Sequence, residues 1–352
     1  MSLSQPRCIK RVLSFHDRGY NCIVYGYRRG VYDVNEFPDG IVVNVLADVK
    51  NRDYLNNFKQ VRQDVSTIVK RHGRNTTYYA FGFAPSLFFA LKGTRFIYEC
   101  SDVWYAYPRF NKTRWMFRFV DKLLIKKSIV TVMTSGGFAM YFDAQDSDKV
   151  VLLPNRVSPK LIKTERLEIQ AVESISFGFV GSIRYKNVFR FAEVIGKYFP
   201  NYSFHFFGGG DQRTMELVQM LSDKYENVRY HGKFKSPDDL PSIYRELSVV
   251  VACYDNASLN EKIAEPNKLY ESMYFCRPIV VSPNTYLASR VEEIGCGYVV
   301  DANSEASVKS FINSIYPEQI RKISSIERSI QLDEIVDNPV PLFNKLKSIA
   351  NR

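Results

Sequence analysis

Three charged residues recur at intervals of three in the stretch 265–281: Glu265, Lys268 and Glu271. Residues with this spacing lie along one face of an α-helix, and Pro266 suits the first turn because its missing N–H would have no partner there. Carboxylates at a helix start can bind the hydroxyls of a sugar or a ribose, and the positive helix N-terminus favours phosphate. A solvated helix with an ordinary charge pattern gives the same spacing, so the residues alone leave both interpretations open.

A second candidate site follows an apolar stretch that runs into Gly181, after which Arg184 and Lys186 precede a predicted helix. Glycine lets the backbone approach a ligand closely, and the two cations can neutralise a diphosphate at a helix N-terminus. Ordinary strand–turn–helix chemistry produces such a pattern at least as often. The glycine run 208–210 follows another apolar stretch, but it lacks the G-x-G-x-x-G spacing of a dinucleotide site.

The segment 105–127 holds seven Lys or Arg and six aromatic residues against a single acid, Asp121. Two series on it recur every four residues, namely the cationic Arg114, Arg118, Lys122 and Lys126 and the apolar Trp115, Phe119 and Leu123. A basic amphipathic helix with aromatic residues is typical of membrane-surface binding. A helix with core aromatics and solvated cations is the equal alternative. Because no nucleic-acid motif occurs, no nucleic-acid partner is predicted.

The net charge is +11, and the first half of the chain carries all of the excess. Residues 1–160 contain 25 Lys and Arg against 13 Asp and Glu, whereas the remainder contains 23 against 24. This asymmetry predicts an anionic partner for the first half, such as a membrane surface or a lipid diphosphate. Since no apolar stretch of spanning length and no apolar signal core occur, we expect a cytoplasmic protein, peripheral at most on the inner face of the membrane.

The sequence predicts no metal site. Its six cysteines are scattered without C-x-x-C spacing, which is typical of a reducing compartment. Its four histidines are far apart and show no metal-ligand spacing. The triplet Asp146-Ser147-Asp148 has the D-x-D pattern with which some transferases hold a divalent ion, but it lies in a polar turn and is interpreted as a solvated loop.

Short apolar stretches alternate with helical patterns along both halves, which predicts parallel sheets with helices on both faces. Strands are predicted at 22–27, 41–46, 77–81, 95–100 and 129–134, and again at 176–180, 203–207, 228–231, 249–253, 278–281 and 297–300. We therefore expect an α/β protein of two Rossmann-like, doubly wound domains.

The predicted boundaries are an N-terminal domain over 1–157, a linker over 158–173, a second domain over 174–316 and a helical tail over 317–352. A doubly wound domain normally begins with a strand. No strand is predicted before the helix that starts at Pro6, so we expect the first strand to be missing, either by truncation or as a natural variant.

Several of these motifs resemble those of GT-B glycosyltransferases, in particular of the retaining family 4 type. The sequence P-N-K-L-Y-E at 266–271, followed by C-R-P-I-V-V, resembles the family's nucleotide-sugar motif. The sequence F-V-G-S-I-R-Y-K-N at 179–187 resembles the motif that holds the donor diphosphate, and V-V-L-L-P-N-R-V at 150–157 resembles the segment that closes the first domain. The resemblance covers residues 5–315 and is strongest from 175 to 283. It implies a GT-B fold, in which the two domains face each other across a cleft and the helical tail over 317–352 crosses back to the first domain.

The resemblance also implies roles for individual residues of the second half. Glu271 would bind the ribose hydroxyls, and Arg184 and Lys186 would offset the charge that builds on the departing nucleoside diphosphate. Further nucleotide-binding residues implied in the same way are Gly181, Gly208, Gly210, Lys233, Phe234, Pro266, Asn267, Lys268 and Leu269.

Two positions depart from the family pattern. The family often has a sugar-contacting glutamate where this chain has Ile263, and Glu265 is the predicted substitute, with Glu261 as the other nearby candidate. In the first half, Asp102 lies in a turn that resembles the family's Y-x-x-x-D-x-W turn beneath the reacting centre, where many relatives have histidine in place of Ser101. A helix cap is the alternative role for Asp102.

The resemblance implies a retaining, metal-independent glycosyltransferase of hexosyltransferase type without a permanently bound cofactor. Its donor would be a UDP- or GDP-type nucleotide sugar, and its acceptor a lipid-linked or surface-polysaccharide saccharide. A non-catalytic or truncated nucleotide-sugar-binding protein is one alternative. A sugar-nucleotide epimerase of the same fold is the other, although it needs acid/base carboxylates and histidines facing the sugar, which the sequence does not show.

Overall fold

The computed structural model describes residues 1–3, 5–28, 37–49, 53–163, 166–167 and 174–351. The chain divides into two compact units: unit 1 comprises Met1–Pro154 and Asn338–Arg352, and unit 2 comprises Asn155–Asp337. Both units consist of parallel strands connected by helices, which confirms the predicted α/β class with two Rossmann-like domains. The boundaries differ from the predicted ones. The predicted linker starts inside unit 2, with residues 164–165 and 168–173 outside the described residues, and the predicted tail divides between the units.

Unit 1 contains a four-stranded and a two-stranded parallel sheet. Its strands are β1 (Ile23–Arg28), β2 (Val42–Asp48), β3 (Thr77–Phe81), β4 (Arg95–Cys100), β5 (Val130–Met133) and β6 (Val150–Leu152). Its first helices are α1 (Pro6–His16), α2 (Tyr54–His72), α3 (Phe83–Leu91), α4 (Arg114–Lys127) and α5 (Gly136–Tyr141). The order of the larger sheet is β3-β4-β5-β6, and β1 pairs with β2. Arg11 of α1 forms an ion pair with the buried Glu99 of β4, so α1 is tied to the larger sheet.

Residues 1–3 run beside β1 without forming a strand, so that in the described residues the first strand, β1, follows α1 as expected. The amide of Tyr27 donates to the carbonyl of Met1 over 2.8 Å, and the amide of Leu3 donates to the carbonyl of Tyr27 over 3.1 Å. Ser2 forms a parallel bridge with Tyr27. The side chain of Leu3 is fully buried. Three residues are too few to show an apolar period in the sequence.

Unit 2 has one six-stranded parallel sheet in the order β12-β11-β10-β7-β8-β9. Its strands are β7 (Ser176–Val180), β8 (Ser203–Phe207), β9 (Val228–Tyr230), β10 (Val249–Ala252), β11 (Ile279–Val281) and β12 (Gly297–Val299). Its helices are α6 (Lys186–Tyr198), α7 (Gln212–Lys224), α8 (Leu240–Arg245), α9 (Leu259–Ile263), α10 (Asn267–Phe275), α11 (Tyr286–Ile294), α12 (Glu305–Ser314), α13 (Pro317–Ser329) and α14 (Leu332–Ile335). All six strands predicted for this half are present.

The strand order of unit 2 reverses between β7 and β10. In open α/β sheets, ligands bind outside the carboxyl ends of the strands at such a switch point. The neighbouring strands β10 and β11 are wholly apolar and buried, as expected for a parallel sheet covered on both faces. The loops after β7 and β10 are therefore the places where this fold positions functional side chains.

The last helix, α15 (Val340–Ala350), belongs to unit 1. Leu342 is fully buried in one apolar cluster with Val130, Val132 and Val151 of β5 and β6. The ring of Phe343 meets the ring of Phe15 at 4.8 Å between centroids. Two separate segments of the chain thus build the core of unit 1.

Candidate functional site

Three glycine-containing loops meet at the carboxyl edge of the sheet in unit 2. They follow the neighbouring strands β7, β8 and β9 and start at Gly181, Gly208 and Gly232. The amide of Gly181 donates to the carbonyl of Phe207 over 2.8 Å, and the amide of Gly208 donates to the carbonyl of Gly232 over 2.7 Å. These backbone bonds hold the three loops side by side as one surface.

Only glycine fits at two positions in these loops, Gly208 and Gly210. Gly208 has a φ of +130°, and a Cβ there would lie 1.9 Å from the carbonyl oxygen of Gly181. A Cβ on Gly210 would lie 2.5 Å from the carbonyl oxygen of Ile183. Gly181 also has a φ of +130°, and the Nζ of Lys268 lies 2.9 Å from the place of its Cβ. The absence of side chains thus lets Lys268 reach the backbone of the first loop.

Lys268, in the first turn of α10, is packed among aromatic rings beside the glycine loops. Its Nζ lies 4.5 Å from the ring centroid of Phe179 and 5.6 Å from that of Tyr254. A cation over an aromatic face is attracted by the ring. Burial lowers the pKa of the Lys268 ammonium, and the charge of Glu271 limits this shift. The ammonium is therefore held in a half-buried position beside the first glycine loop.

Glu271 lies one turn further along α10, on the same face as Lys268. Its Oε2 accepts a hydrogen bond of 2.8 Å from the hydroxyl of Tyr244, and the residue is half-buried. Burial raises the pKa of Glu271, while Lys268 and the Tyr244 hydroxyl oppose the rise. The Tyr244 hydroxyl holds one carboxylate oxygen in place. This orients the second carboxylate oxygen, as it must be if it is to bind a neighbouring pair of hydroxyls.

Asp255 is a site residue that the sequence analysis missed. It follows β10, and its two carboxylate oxygens accept hydrogen bonds from the amides of Lys186 (3.0 Å) and Asn187 (2.9 Å). The loop after β10 therefore caps the N-terminus of α6 across the switch point. The predicted binding of a diphosphate to these helix amides is not supported, because an internal carboxylate already uses them. The sequence signal that could have revealed Asp255 is a carboxylate that closely follows the all-apolar strand β10.

Arg184 and Lys186 still present their side chains at this edge, and both are exposed. The guanidinium of Arg184 donates to the hydroxyl of Tyr185 over 2.7 Å and lies 4.9 Å from the centroid of that ring. Tyr185 in turn packs its ring against Tyr254 at 4.3 Å. The structure thus brings Arg184 into the aromatic cluster that also surrounds Lys268, so two cations share one neighbourhood.

Glu265 is buried immediately before α10, with 3% of its surface exposed. Its Oε1 accepts a hydrogen bond of 2.7 Å from the hydroxyl of Tyr270 and lies 3.6 Å from Nε of Arg290. Burial raises the pKa of Glu265, and Tyr270 and Arg290 oppose the rise. The carboxylate predicted to contact the sugar therefore has internal partners. The alternative candidate, Glu261, forms a capping box with Ser258 at the start of α9.

The other predicted nucleotide-binding residues fall into two groups. Lys233 and Asn267 are exposed, while Pro266 and Phe234 are half-buried. Leu269 is fully buried in the core, and its amide donates to the carbonyl of Pro266 over 3.2 Å. This corrects the prediction for Leu269, which has neither a side chain nor an amide to offer a ligand. Its apolar character reflects the inner face of α10.

Comparison with protein families identifies the second half of the chain. Residues 174–316 match the family model described as glycosyl transferases group 1. These residues form a glycosyl transferases group 1 domain. The matched range holds all three glycine loops, Lys268 and Glu271, and it confirms the resemblance on which the site prediction was based.

Solved structures share the fold of the whole chain. A trehalose-6-phosphate synthase superposes with a TM-score of 0.72 at 8% identity, covering 100% of this chain and 98% of the other. The sucrose-phosphate synthase of Thermosynechococcus elongatus gives 0.70 at 14%, covering 98% and 91%. HepE of Anabaena, in complex with UDP and glucose, gives 0.65 at 14%, covering 100% and 98%. At these identities the likeness establishes the GT-B fold.

One relative by sequence is TuaH of Bacillus subtilis (strain 168), which is named for a glycosyltransferase role in teichuronic acid biosynthesis. It is 22% identical over 222 residues, which cover 58% of this chain and 54% of TuaH. The match thus spans about half the length of that protein.

Asp102 lies in unit 1, two residues after β4, and is exposed. Behind it is a buried polar cluster in which Asp121 of α4 accepts hydrogen bonds from the hydroxyls of Tyr98 (2.7 Å) and Tyr105 (2.5 Å). Burial raises the pKa of Asp121 to about 7, although both tyrosines lower it. The single acid of the basic segment is therefore an internal group of unit 1.

The apolar series of α4 points outward. Trp115, Phe119 and Leu123 have 72%, 59% and 40% of their surface exposed. The cations beside them are partly neutralised, since Arg118 and Lys122 both bind the carboxylate of Asp143. We call Trp115, Phe119 and Leu123 the α4 stripe. None of the described helices combines the length and the apolar character that a membrane crossing requires.

Two histidines that are 26 residues apart in sequence meet in the sheet of unit 2. Nδ1 of His205 lies 2.9 Å from Nε2 of His231 and 4.0 Å from a carboxylate oxygen of Glu246. Burial lowers the pKa of His205 to about 4, and His231 and Arg229 add to the effect. The separation of the two histidines in sequence conceals this proximity, which arises because β8 and β9 are neighbours in the sheet.

Proposed function

We propose that this protein is a retaining glycosyltransferase that moves a sugar from a UDP- or GDP-type nucleotide sugar to a saccharide acceptor. The observation that carries the proposal is the arrangement at α10, where Lys268 and Glu271 face the three glycine loops inside the glycosyl transferases group 1 domain. The solved HepE structure with UDP and glucose supports the choice of donor class. The family and the fold support a transferase more broadly.

The diphosphate, the ribose and the base of the donor would each have a chemical partner in this arrangement. Lys268 and Arg184, with Lys186 beside them, would neutralise the diphosphate, and the free oxygen of Glu271 would accept hydrogen bonds from the ribose. Lys233 and Phe234, on the loop after β9, would border the base. Cations fixed before the reaction stabilise the charge that develops on the leaving diphosphate without reorganising, so we propose that transfer needs no metal ion.

Retention in this proposal proceeds on one face of the sugar, and the departing diphosphate helps to take the proton of the attacking hydroxyl. Glu265 has internal partners in Tyr270 and Arg290, which argues for a positioning role toward α10 and against a nucleophile. Asp102 is the proposed catalytic contributor from unit 1, by its resemblance to the family turn.

The proposed acceptor is a lipid-linked or surface-polysaccharide saccharide at the cytoplasmic face of a membrane. Two observations support it: the exposed α4 stripe and the excess of Lys and Arg in the first half of the chain. Apolar side chains next to cations are suited to an anionic lipid surface. The teichuronic acid role in the name of TuaH fits an acceptor of the polysaccharide class.

A thermal-unfolding screen against UDP, GDP, ADP, CMP and dTDP tests the donor site. A nucleotide at ten times its Kd adds about 1.4 kcal/mol of stability, which shifts Tm by a few degrees. We expect UDP or GDP to stabilise the wild type and the Glu226→Ala control, whose substituted residue is exposed outside the site, but not Glu271→Ala. No shift with any nucleotide would contradict the proposal.

A non-catalytic nucleotide-sugar-binding protein is the second candidate. It is favoured by the carboxylate of Asp255, which occupies the helix amides predicted to bind phosphate, and by the departures at Ile263 and Ser101. Incubation with the donor that the screen selects, with and without a lipid-linked saccharide, separates the two. Acceptor-dependent release of the nucleoside diphosphate supports the transferase, binding without turnover supports the second candidate, and conversion of donor alone would indicate an epimerase.

A further inference from the structure

The cluster of His205, His231 and Glu246 has the composition of a transition-metal site. In the register of β8 and β9, His205 lies opposite Arg229, so position 231 lies two residues further on the same face. Glu246 follows the last residue of α8 and extends a carboxylate toward the same point. One ligand atom from each of the three residues lies within 4.8 Å of the others.

The distances fit a small ion after minor adjustment. Two nitrogens on a tetrahedral zinc ion at about 2.0–2.1 Å each are about 3.3 Å apart, compared with the 2.9 Å between the ring nitrogens of His205 and His231. The carboxylate of Glu246 is half exposed and can rotate toward His205, from which it is 4.0 Å away. Two imidazoles and one carboxylate leave a fourth position for water.

The surroundings of His205 resemble the second shell of a metal ligand. Its other ring nitrogen, Nε2, lies 2.9 Å from the hydroxyl oxygen of Ser203. A ligating histidine commonly donates its second N–H to such an acceptor, which fixes the tautomer and the ring orientation. With the proton on Nε2, Nδ1 carries the lone pair that faces His231.

Neighbouring charges and aromatic rings affect how readily this cluster could bind a cation. Arg229 lies on the same face of the sheet and opposes a cation, whereas the carboxylate of Glu246 offsets that charge. The ring of His231 stacks on Phe207 at 4.2 Å. This stacking already orients the imidazole, so little freedom is lost when it binds an ion.

We propose that His205, His231 and Glu246 bind one divalent transition-metal ion, for which zinc suits the ligand set. The ion would fasten the loop that follows β9 to the middle of β8. It would brace the loop of Gly232, whose carbonyl binds Gly208, and take no part in sugar transfer. The inference is independent of the proposed function, because it rests on a separate cluster of side chains.

Zinc titration of the metal-free, tag-free protein against a chromophoric chelator tests the proposal, with the visible absorption of bound Co²⁺ as a second readout. We expect one equivalent of zinc to bind, and His231→Gln and Glu246→Gln each to weaken binding at least tenfold. Both residues are exposed, so these variants should fold. His16→Gln and Glu226→Gln are the matched controls and should bind as the wild type does.

Hydrogen exchange provides the structural readout. Zinc should slow exchange of the backbone amides at 231–234 in the wild type but not in His231→Gln. Failure to bind one equivalent, or binding that survives both His231→Gln and Glu246→Gln, would overturn the proposal. In that case the two histidines form only a hydrogen-bonded pair between adjacent strands.

Discussion

Lys268 and Glu271 are two half-buried charged residues on one face of α10. Burial moves the pKa of each toward the neutral form, and each opposes that shift in the other. The aromatic rings around Lys268 and the hydroxyl of Tyr244 at Glu271 hold the two charges three residues apart on α10. Such fixed charges are useful when a ligand brings both phosphate and hydroxyl groups.

Replacement of Lys268 by methionine should separate binding from stability. Lys268→Met keeps an unbranched apolar stem against Phe179 and Tyr254 but removes the ammonium, so we expect the Kd for the donor nucleotide to rise at least tenfold. The midpoint of urea unfolding should stay within experimental error or rise, because a cation is no longer desolvated. Isothermal titration and urea denaturation measure the two effects. Lys262→Met, exposed on α9, is the control, and equal Kd values in both variants would contradict the prediction.

Asp121 should make the stability of unit 1 depend on pH. Its pKa rises from the ordinary 3.8 to about 7 in the folded protein. The folded state therefore binds the proton more tightly, and this contribution to stability is complete below about pH 4 and lost as the pH rises through 7. Relative to Asp121→Asn, the wild type should lose on the order of 2–4 kcal/mol between pH 4.5 and 8.

The measurement is denaturant unfolding of the wild type and Asp121→Asn at several pH values. Taking the difference between the proteins removes the contribution of other buried groups. Asp146→Asn, at an exposed position, should give parallel curves to the wild type. Parallel curves for Asp121→Asn as well would show that its carboxyl is ionised throughout.

At the level of elements, the glycine loops test whether close backbone approach shapes the site. Gly208→Ala should lower the free energy of unfolding by more than about 3 kcal/mol, because its Cβ would meet the Gly181 carbonyl and its φ is positive. Gly232→Ala is the matched control on the neighbouring loop. It also has a positive φ, but its Cβ would meet no atom within 4 Å, so it should lose only about 1 kcal/mol. Equal losses in urea denaturation would contradict this reasoning.

Helix α4 should bind the protein to anionic lipid through its apolar stripe. Phe119→Ser should reduce co-sedimentation with vesicles that contain anionic phospholipid by tenfold or more, since a buried aromatic side chain contributes about 1.5–3 kcal/mol. Leu55→Ser is the control, because Leu55 is exposed on α2 away from the stripe. Binding that is equal in the two variants would exclude the α4 stripe as the contact.

The sequence predicts the elements of unit 2 well because its strands are short, apolar and separated by glycine turns. Helix α3 was not predicted, since its nine residues are almost all apolar and show no helical period. Asp255 and the pair of His205 and His231 were missed for another reason. Their roles depend on which strands are neighbours, and strand order does not appear in the local pattern. Lys268 and Glu271 were predicted because they lie on one helix, where their spacing is visible in the local sequence pattern.

For the molecule as a whole, the return of the chain to unit 1 has a measurable effect. Leu342→Ala should destabilise unit 1 by about 2–5 kcal/mol, because Leu342 is fully buried against β5 and β6. Amide hydrogen exchange should therefore speed up in β5 and β6 and remain unchanged in β7 and β10. Leu332→Ala, in the partly exposed α14 of unit 2, is the control. Faster exchange in β7 and β10 with Leu342→Ala would contradict the independence of the two cores.

Because α15 belongs to unit 1 but is synthesised after unit 2, it also determines the order in which the two units can complete folding. All of unit 2 leaves the ribosome before residues 338–352 do, so its sheet can form while unit 1 still lacks α15. Until then, the apolar face of Val130, Val132 and Val151 is uncovered on the nascent chain. At about 5–20 residues per second, that interval lasts long enough for a chaperone to engage this face. Unit 1, which is synthesised first, is thus the unit whose core is completed last.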